Sequence, residues 1–142
     1  MNVVAQTQQL SKQFGSRVAV NELNLAVSAG EIYGLLGPNG SGKTTLIRLL
    51  IGLLKPTNGR VTILGRVMPD KAILSRVGYM TQASALYEEL TLRENVAFFA
   101  QMCGGVSQAR IDEVLALVDL QHRANSLVRT LSGGMKQRTS LA

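Results

Sequence analysis

Eight consecutive residues, Gly37-Pro38-Asn39-Gly40-Ser41-Gly42-Lys43-Thr44, carry the clearest chemistry in the chain. They fit the spacing G-x-x-x-x-G-K-[ST], a loop that wraps a polyphosphate. Its glycines let the backbone curl until successive N–H groups converge on an anion. A helix opening directly after the loop adds its unpaired N–H groups and the positive end of its dipole. Lys43 brings a full positive charge to the β- and γ-phosphates. The Thr44 hydroxyl is a ligand for the Mg²⁺ that travels with a nucleoside triphosphate. Thr45, the next residue, joins this set as a nucleotide-binding candidate. The bland alternative is a glycine-rich turn with a surface lysine, and it gives no reason for a strand before the loop and a helix after it.

Such a loop does not choose its base. An N-K-x-D stretch for guanine is missing from the sequence. Phe14 is a candidate to stack on a purine, with ordinary packing as the competing reading on position alone. Gln82 follows the short apolar run Val77-Gly78-Tyr79-Met80 and, taken alone, reads as a solvated loop residue.

These residues need a scaffold. Residues 3–10 and 23–27 alternate apolar and polar as half-buried strands do, with Phe14-Gly15-Ser16 as the turn between early strands. The run Ile32-Tyr33-Gly34-Leu35-Leu36 reads as a strand buried on both faces, as in a parallel sheet. Residues 44–52 read as a helix from the spacing of Leu46, Leu49, Leu50 and Leu53. Pro56 and Asn58-Gly59 break it. Residues 61–64 give another strand. After Gln82 the period changes, and residues 92–102 and 111–120 read as helices. A final helix starts at Ser132, a good cap residue.

The bulk properties narrow the class. An apolar fraction of 46% against 17% charged is that of an ordered domain rather than a disordered chain. The net charge of +6 comes from Lys and Arg scattered along the chain, which reads as a solvated surface and not a nucleic-acid partner. Cys103, the only cysteine, has no partner for an internal disulfide and no metal-ligand spacing, so it reads as packing. His122, the only histidine, lies in a polar stretch and supports no catalytic triad. The first residues lack the pattern of a signal peptide. The longest apolar stretch, 46–54, includes Arg48 and Gly52 and is far short of the ~20 residues of a membrane span.

Three motifs in order, the phosphate loop, VGYMTQ at 77–82 and LSGGMKQR at 131–138, make the whole chain resemble the nucleotide-binding domain of ATP-binding-cassette (ABC) transporters. The resemblance implies an α/β fold: an incomplete P-loop parallel sheet with an N-terminal antiparallel β subdomain and a helical subdomain. The expected divisions are 1–82, 83–131 and 132–142. It implies that Phe14 stacks on adenine and that ATP and Mg²⁺ are the ligands. Gln82 matches a glutamine that contacts Mg²⁺ and the attacking water, which places it beside Lys43 as a catalytic candidate. Ser132, Gly133 and Gly134 match the signature that binds the γ-phosphate held by a second such domain, in a head-to-tail dimer. Met135 stands where the family most often has Gln. A membrane permease is the implied partner, with the domain peripheral on the inner face of the cell membrane. The wording of residues 85–100 is similar to ABC-2 exporters.

The resemblance also implies an acidic strand and a glutamate after the signature, to hold Mg²⁺ and orient water. Val114-Leu115-Ala116-Leu117-Val118-Asp119 imitates that strand. However, Ile111, Val114, Leu115 and Val118 follow the helix period, and Leu120 stands where the glutamate is needed. The helix from Ser132 shows no stop signal before Ala142. We therefore expect a partial domain that binds ATP without hydrolysing it, within a full-length transporter ATPase. Two other readings are a short non-catalytic binding chain and a soluble ABC protein of repair or translation.

Overall fold

The computed structural model describes residues 2–81 and 85–142, which fall into two units, Met1–Gly78 and Tyr79–Ala142. In the first unit β1 (Val3–Phe14) and β2 (Arg17–Ser28) form a long antiparallel hairpin. Both run several residues beyond the alternating segments of the sequence, because ladder hydrogen bonds are made whatever the side chain. Gly15 and Ser16 make the turn and set Phe14 opposite Arg17. β3 (Asn58–Ile63) pairs with the other edge of β1, and β4 (Arg66–Val67) pairs with β3. The sheet order is β2-β1-β3-β4, antiparallel throughout.

The ladder is irregular in the middle of β1, where Gln9 has φ 48° and Glu22 on β2 has φ 44°. Side chains satisfy the backbone there. The Gln9 N–H donates to Asn24 Oδ1 at 2.9 Å, and the Glu22 N–H donates to Ser11 Oγ at 2.8 Å. Asn58-Gly59, a helix breaker in the sequence, opens β3 at the same place. A Cβ on Gly59 would lie 2.2 Å from the Gln9 carbonyl oxygen, so only glycine lets the two backbones approach.

Helix α1 (Lys43–Leu50) buries Leu46 and Leu49 against Leu10, Val20 and Val61 of the three longer strands. Met68 and Ile73 close this core, the latter from the short helix α2 (Lys71–Leu74).

The run 32–36 departs from the expectation. It forms no strand, and Ile32 and Leu36 are 102% and 93% exposed. A strand exists only by pairing, and no described segment offers this run a ladder. Residues 77–80 likewise form no strand. Neither run supplies the parallel sheet within the described residues.

The second unit packs α3 (Leu92–Met102), α4 (Gln108–Leu117) and α5 (Gly133–Leu141) with two short 3₁₀ turns, Gln121–Arg123 and Val128–Thr130. Its core joins Leu92, Val96, Ile111, Leu115, Leu120 and Val128. α4 begins three residues before the expected helix, because the Ser107 hydroxyl caps it by accepting from the Arg110 N–H at 3.2 Å. It ends at Leu117, and Asp119 follows at φ 56°. The acidic mimic at 114–119 is thus a helix end. Arg138 donates to the Val118 carbonyl at 3.0 Å, a cation at a helix C-terminus.

The packing expectation for Cys103 is corrected, and an apolar ring of α3 also lies outside the core. Cys103 is exposed. Phe98 is 40% exposed, in a ring cluster with Tyr87 and Phe99 at its edge. An amphipathic helix has room for only part of its apolar face in the core, and Leu92 and Val96 take that place. Asn95, fully buried and unremarked in the sequence, satisfies the turn before α3. Its Oδ1 accepts from the Tyr87 N–H at 2.8 Å and its Nδ2 donates to the Tyr87 and Thr91 carbonyls, each at 3.0 Å.

Helix α3 opens with a reciprocal cap. The Glu94 N–H donates to Thr91 Oγ1 at 3.2 Å, while the Thr91 N–H and hydroxyl each donate to Glu94 Oε2 at 2.7 Å. The backbone bond first, and the hydroxyl bond second, hold the Glu94 carboxyl below its usual range. A lowered folded-state pKa stabilises fully above the unfolded value of about 4.3 and is lost as pH falls through the folded value. Thr91→Ala is expected to cost about 1 kcal/mol at pH 7. It should also flatten the acid-side loss of stability, as read by urea denaturation at pH 7 and pH 3.

Candidate functional site

A cavity of about 340 Å³ lies between the β1–β2 hairpin and the loop that leads into α1. The hairpin contributes Phe14, Arg17 and Ala19 to its lining. The loop contributes Asn39, Gly40 and Gly42, and the first turn of α1 contributes Lys43, Thr44 and Thr45. Residues far apart in sequence meet here because β1 and β2 turn back at Gly15-Ser16 and bring their tip over the loop.

Gly42 fixes that approach. It caps α1 at φ 92°, and a Cβ there would sit 2.2 Å from the Ala19 carbonyl oxygen on β2. Its own carbonyl accepts the first helical bond, from the Leu46 N–H at 2.8 Å. The glycine therefore serves both backbone curvature and close packing of the hairpin.

Lys43 is folded back on its own loop. Its Nζ donates to the Gly37 carbonyl at 2.6 Å and the Pro38 carbonyl at 2.7 Å. The Ser41 N–H donates to the Pro38 carbonyl at 3.2 Å, which closes the turn. Gly37, Pro38 and Ser41 hence shape the loop through backbone and do not line the cavity. An ammonium has three donors, so a third remains for an anion beyond the two that hold the loop.

Phe14 is 48% exposed, so it is not a core residue. Lys12 Nζ lies 5.1 Å from its ring centroid and also donates to the Lys55 carbonyl at 2.8 Å, a cation–π contact anchored at its far end. Thr44 is exposed in the first turn of α1 and supplies a single oxygen to the cavity. No acidic side chain is among the described residues that line it, and no group of three metal-ligating residues occurs among the described residues.

Arg17 is the lining residue that the sequence reading missed. Its Nη2 donates to the Gly40 carbonyl at 3.1 Å, a direct tie from hairpin to loop. The signal was available: a two-residue turn at 15–16 puts residue 17 opposite Phe14, and facing residues share a side of the sheet.

The remaining candidates lie elsewhere. Ser132, Gly133 and Gly134 belong to the Tyr79–Ala142 unit. Ser132 Oγ accepts from the Met135 N–H at 3.3 Å and caps α5. All three are exposed, and a Cβ on either glycine would meet nothing within 4 Å. This leaves a bare helix N-terminus. Gln82 lies outside the described residues.

Because Gly42 packs on the backbone and not on a flexible side chain, Gly42→Ala should force the hairpin and the loop apart. The expected cost is more than about 1 kcal/mol, read as a fall in thermal midpoint. An unchanged midpoint would contradict the packing described.

Comparison with known proteins matches residues 20–142 to the family described as ABC transporter. The bacitracin transport ATP-binding protein BcrA of Bacillus licheniformis is 44% identical over all of this chain and 47% of its own length. A Nod factor export ATP-binding protein I of Cupriavidus pinatubonensis is 39% identical over all of this chain and 45% of its own. The sulfate/thiosulfate import ATP-binding protein CysA of Synechococcus elongatus is 41% identical over 96% of this chain and 41% of its own. The chain thus spans about half the length of the curated relatives it matches. Among solved structures, an ATP-binding subunit of an ABC transporter superposes with a TM-score of 0.81 at 31% identity, covering 97% of this chain and 60% of that one.

Proposed function

Because this chain belongs to the ABC transporter family, we propose that it binds ATP with Mg²⁺ as the front part of a transporter's ATP-binding domain. The observation that carries this reading is the cavity that sets Phe14, Lys43 and Thr44 around one space with no carboxylate among the described lining residues. Phe14 stacks on the adenine. The loop N–H groups from Gly40 to Thr45 and the Lys43 ammonium hold the phosphates. Thr44 gives Mg²⁺ one protein oxygen, which suits an ion otherwise bound by phosphate oxygens and water. Gln82 is assigned to Mg²⁺ and the attacking water.

Hydrolysis needs an acidic strand end and a glutamate after the signature. We assign nucleotide binding to residues 1–142. The bare N-terminus of α5 supports a role in trans. Ser132, Gly133 and Gly134 present N–H groups to the γ-phosphate on a second ATP-binding domain, so that ATP draws the two together head to tail. The Nod factor relative supports export as the direction, while the sulfate/thiosulfate relative shows that the same type of chain serves import. A membrane permease selects the substrate and holds the domain at the inner face of the membrane. No helix among the described residues is long and apolar enough to cross a membrane.

Lys43→Ala should weaken binding of a fluorescent ATP analogue at least about tenfold, the size of a lost charge-assisted hydrogen bond. Equal affinity in the two proteins would remove Lys43 from the site. Gly134→Asp places a carboxylate where the partner's γ-phosphate would approach. In the full-length protein it should abolish ATP-dependent dimerisation in sedimentation velocity while ATP binding by the monomer persists.

A further inference from the structure

The cavity holds a second positive group that the loop motif does not account for. Arg17 is exposed at the tip of the hairpin and lines the same space as Lys43. Its guanidinium spends one donor on the Gly40 carbonyl, at 3.1 Å, and a guanidinium has five. None of the ion pairs among the described residues includes it. Two cations therefore share a small cavity without a carboxylate, in which each raises the electrostatic cost of the other until an anion enters. The bond to Gly40 removes much of the side chain's freedom in advance, so little ordering remains to oppose a contact. The hairpin register sets Arg17 opposite Phe14, the residue assigned to the base, whereas Gly40 belongs to the loop assigned to the phosphates.

Resting on the reading of this cavity as an ATP site, we propose that Arg17 is a phosphate-binding residue of that site, which holds the loop through Gly40 and gives its free N–H groups to a phosphate oxygen of the nucleotide.

The test is titration calorimetry of the purified protein with Mg-ATP at several salt concentrations. Arg17→Gln retains a donor for Gly40 without the charge, and Arg17→Lys retains the charge without the fork. Arg17→Gln should weaken ATP binding about tenfold and flatten its dependence on salt, since one screened attraction is gone. Arg17→Lys should keep the wild-type salt dependence and most of the affinity. Wild-type affinity in Arg17→Gln would overturn the proposal. So would equal losses in both variants with an unaltered salt dependence, because that pattern belongs to a residue that only braces the loop. Lys43→Ala, measured alongside, separates two failures. If it loses ATP and Arg17→Gln does not, only the role of Arg17 falls. If neither loses ATP, the reading of the cavity falls with it.

Discussion

Backbone hydrogen bonding along both edges of β1 holds the first unit together. One edge pairs from Val3–Ser28 to Phe14–Arg17 with β2, and the other from Ala5–Ile63 to Ser11–Asn58 with β3. A strand paired on both sides cannot shift register without moving its apolar side chains off the core. Leu10, at the centre of β1, is fully buried with Leu49 of α1 and Val61 of β3. The position of α1, and so of the loop that caps it, follows from that core. The hairpin tip is the free end of the same strand pair. Its placement over the loop follows from the sheet and is held by the close approach of Gly42 to the Ala19 carbonyl and by the Arg17–Gly40 bond.

Backbone proximity then does what side chains do in most sites. Gly42 lies against the Ala19 carbonyl, and Gly59 lies against the Gln8 and Gln9 carbonyls. Each closes a gap that a methyl group would hold open. The loop is shaped from within by the Lys43 ammonium, held on the carbonyls of Gly37 and Pro38. A half-buried ammonium needs acceptors, and these carbonyls supply them. The group that would bind the ligand thus keeps the curled backbone in shape.

The helical unit solves a different problem. Its helices are short and depend on caps: the reciprocal Thr91–Glu94 pair for α3, Ser107 for α4 and Ser132 for α5. Short helices are marginal by themselves, so satisfied ends and a shared apolar core must act together. The exception is informative. At α5 the cap residue is satisfied, yet the first turn after it carries two glycines with open space above them. Glycine there weakens the helix, and among the described residues a Cβ would meet nothing within 4 Å.

The sequence by itself determined the helix that follows the glycine-rich loop, α3 to the residue, the cap of α5 and the helical nature of 114–117. Each of these rests on local information: spacing, capping chemistry or a 3.6-residue period read over neighbouring positions. The family also followed from three ordered motifs. Only the tertiary structure decided the rest. Whether Ile32-Tyr33-Gly34-Leu35-Leu36 forms a strand depends on a partner strand, and an apolar run does not say whether any described segment pairs with it. Arg17 became a lining residue through register, and Asn95 a buried one through the turn folded around it. Cys103 and Phe98 lie outside the core because other residues of the same helical unit fill it. Pairing, register and burial are relations between distant segments, and the amino-acid types at one position do not contain them.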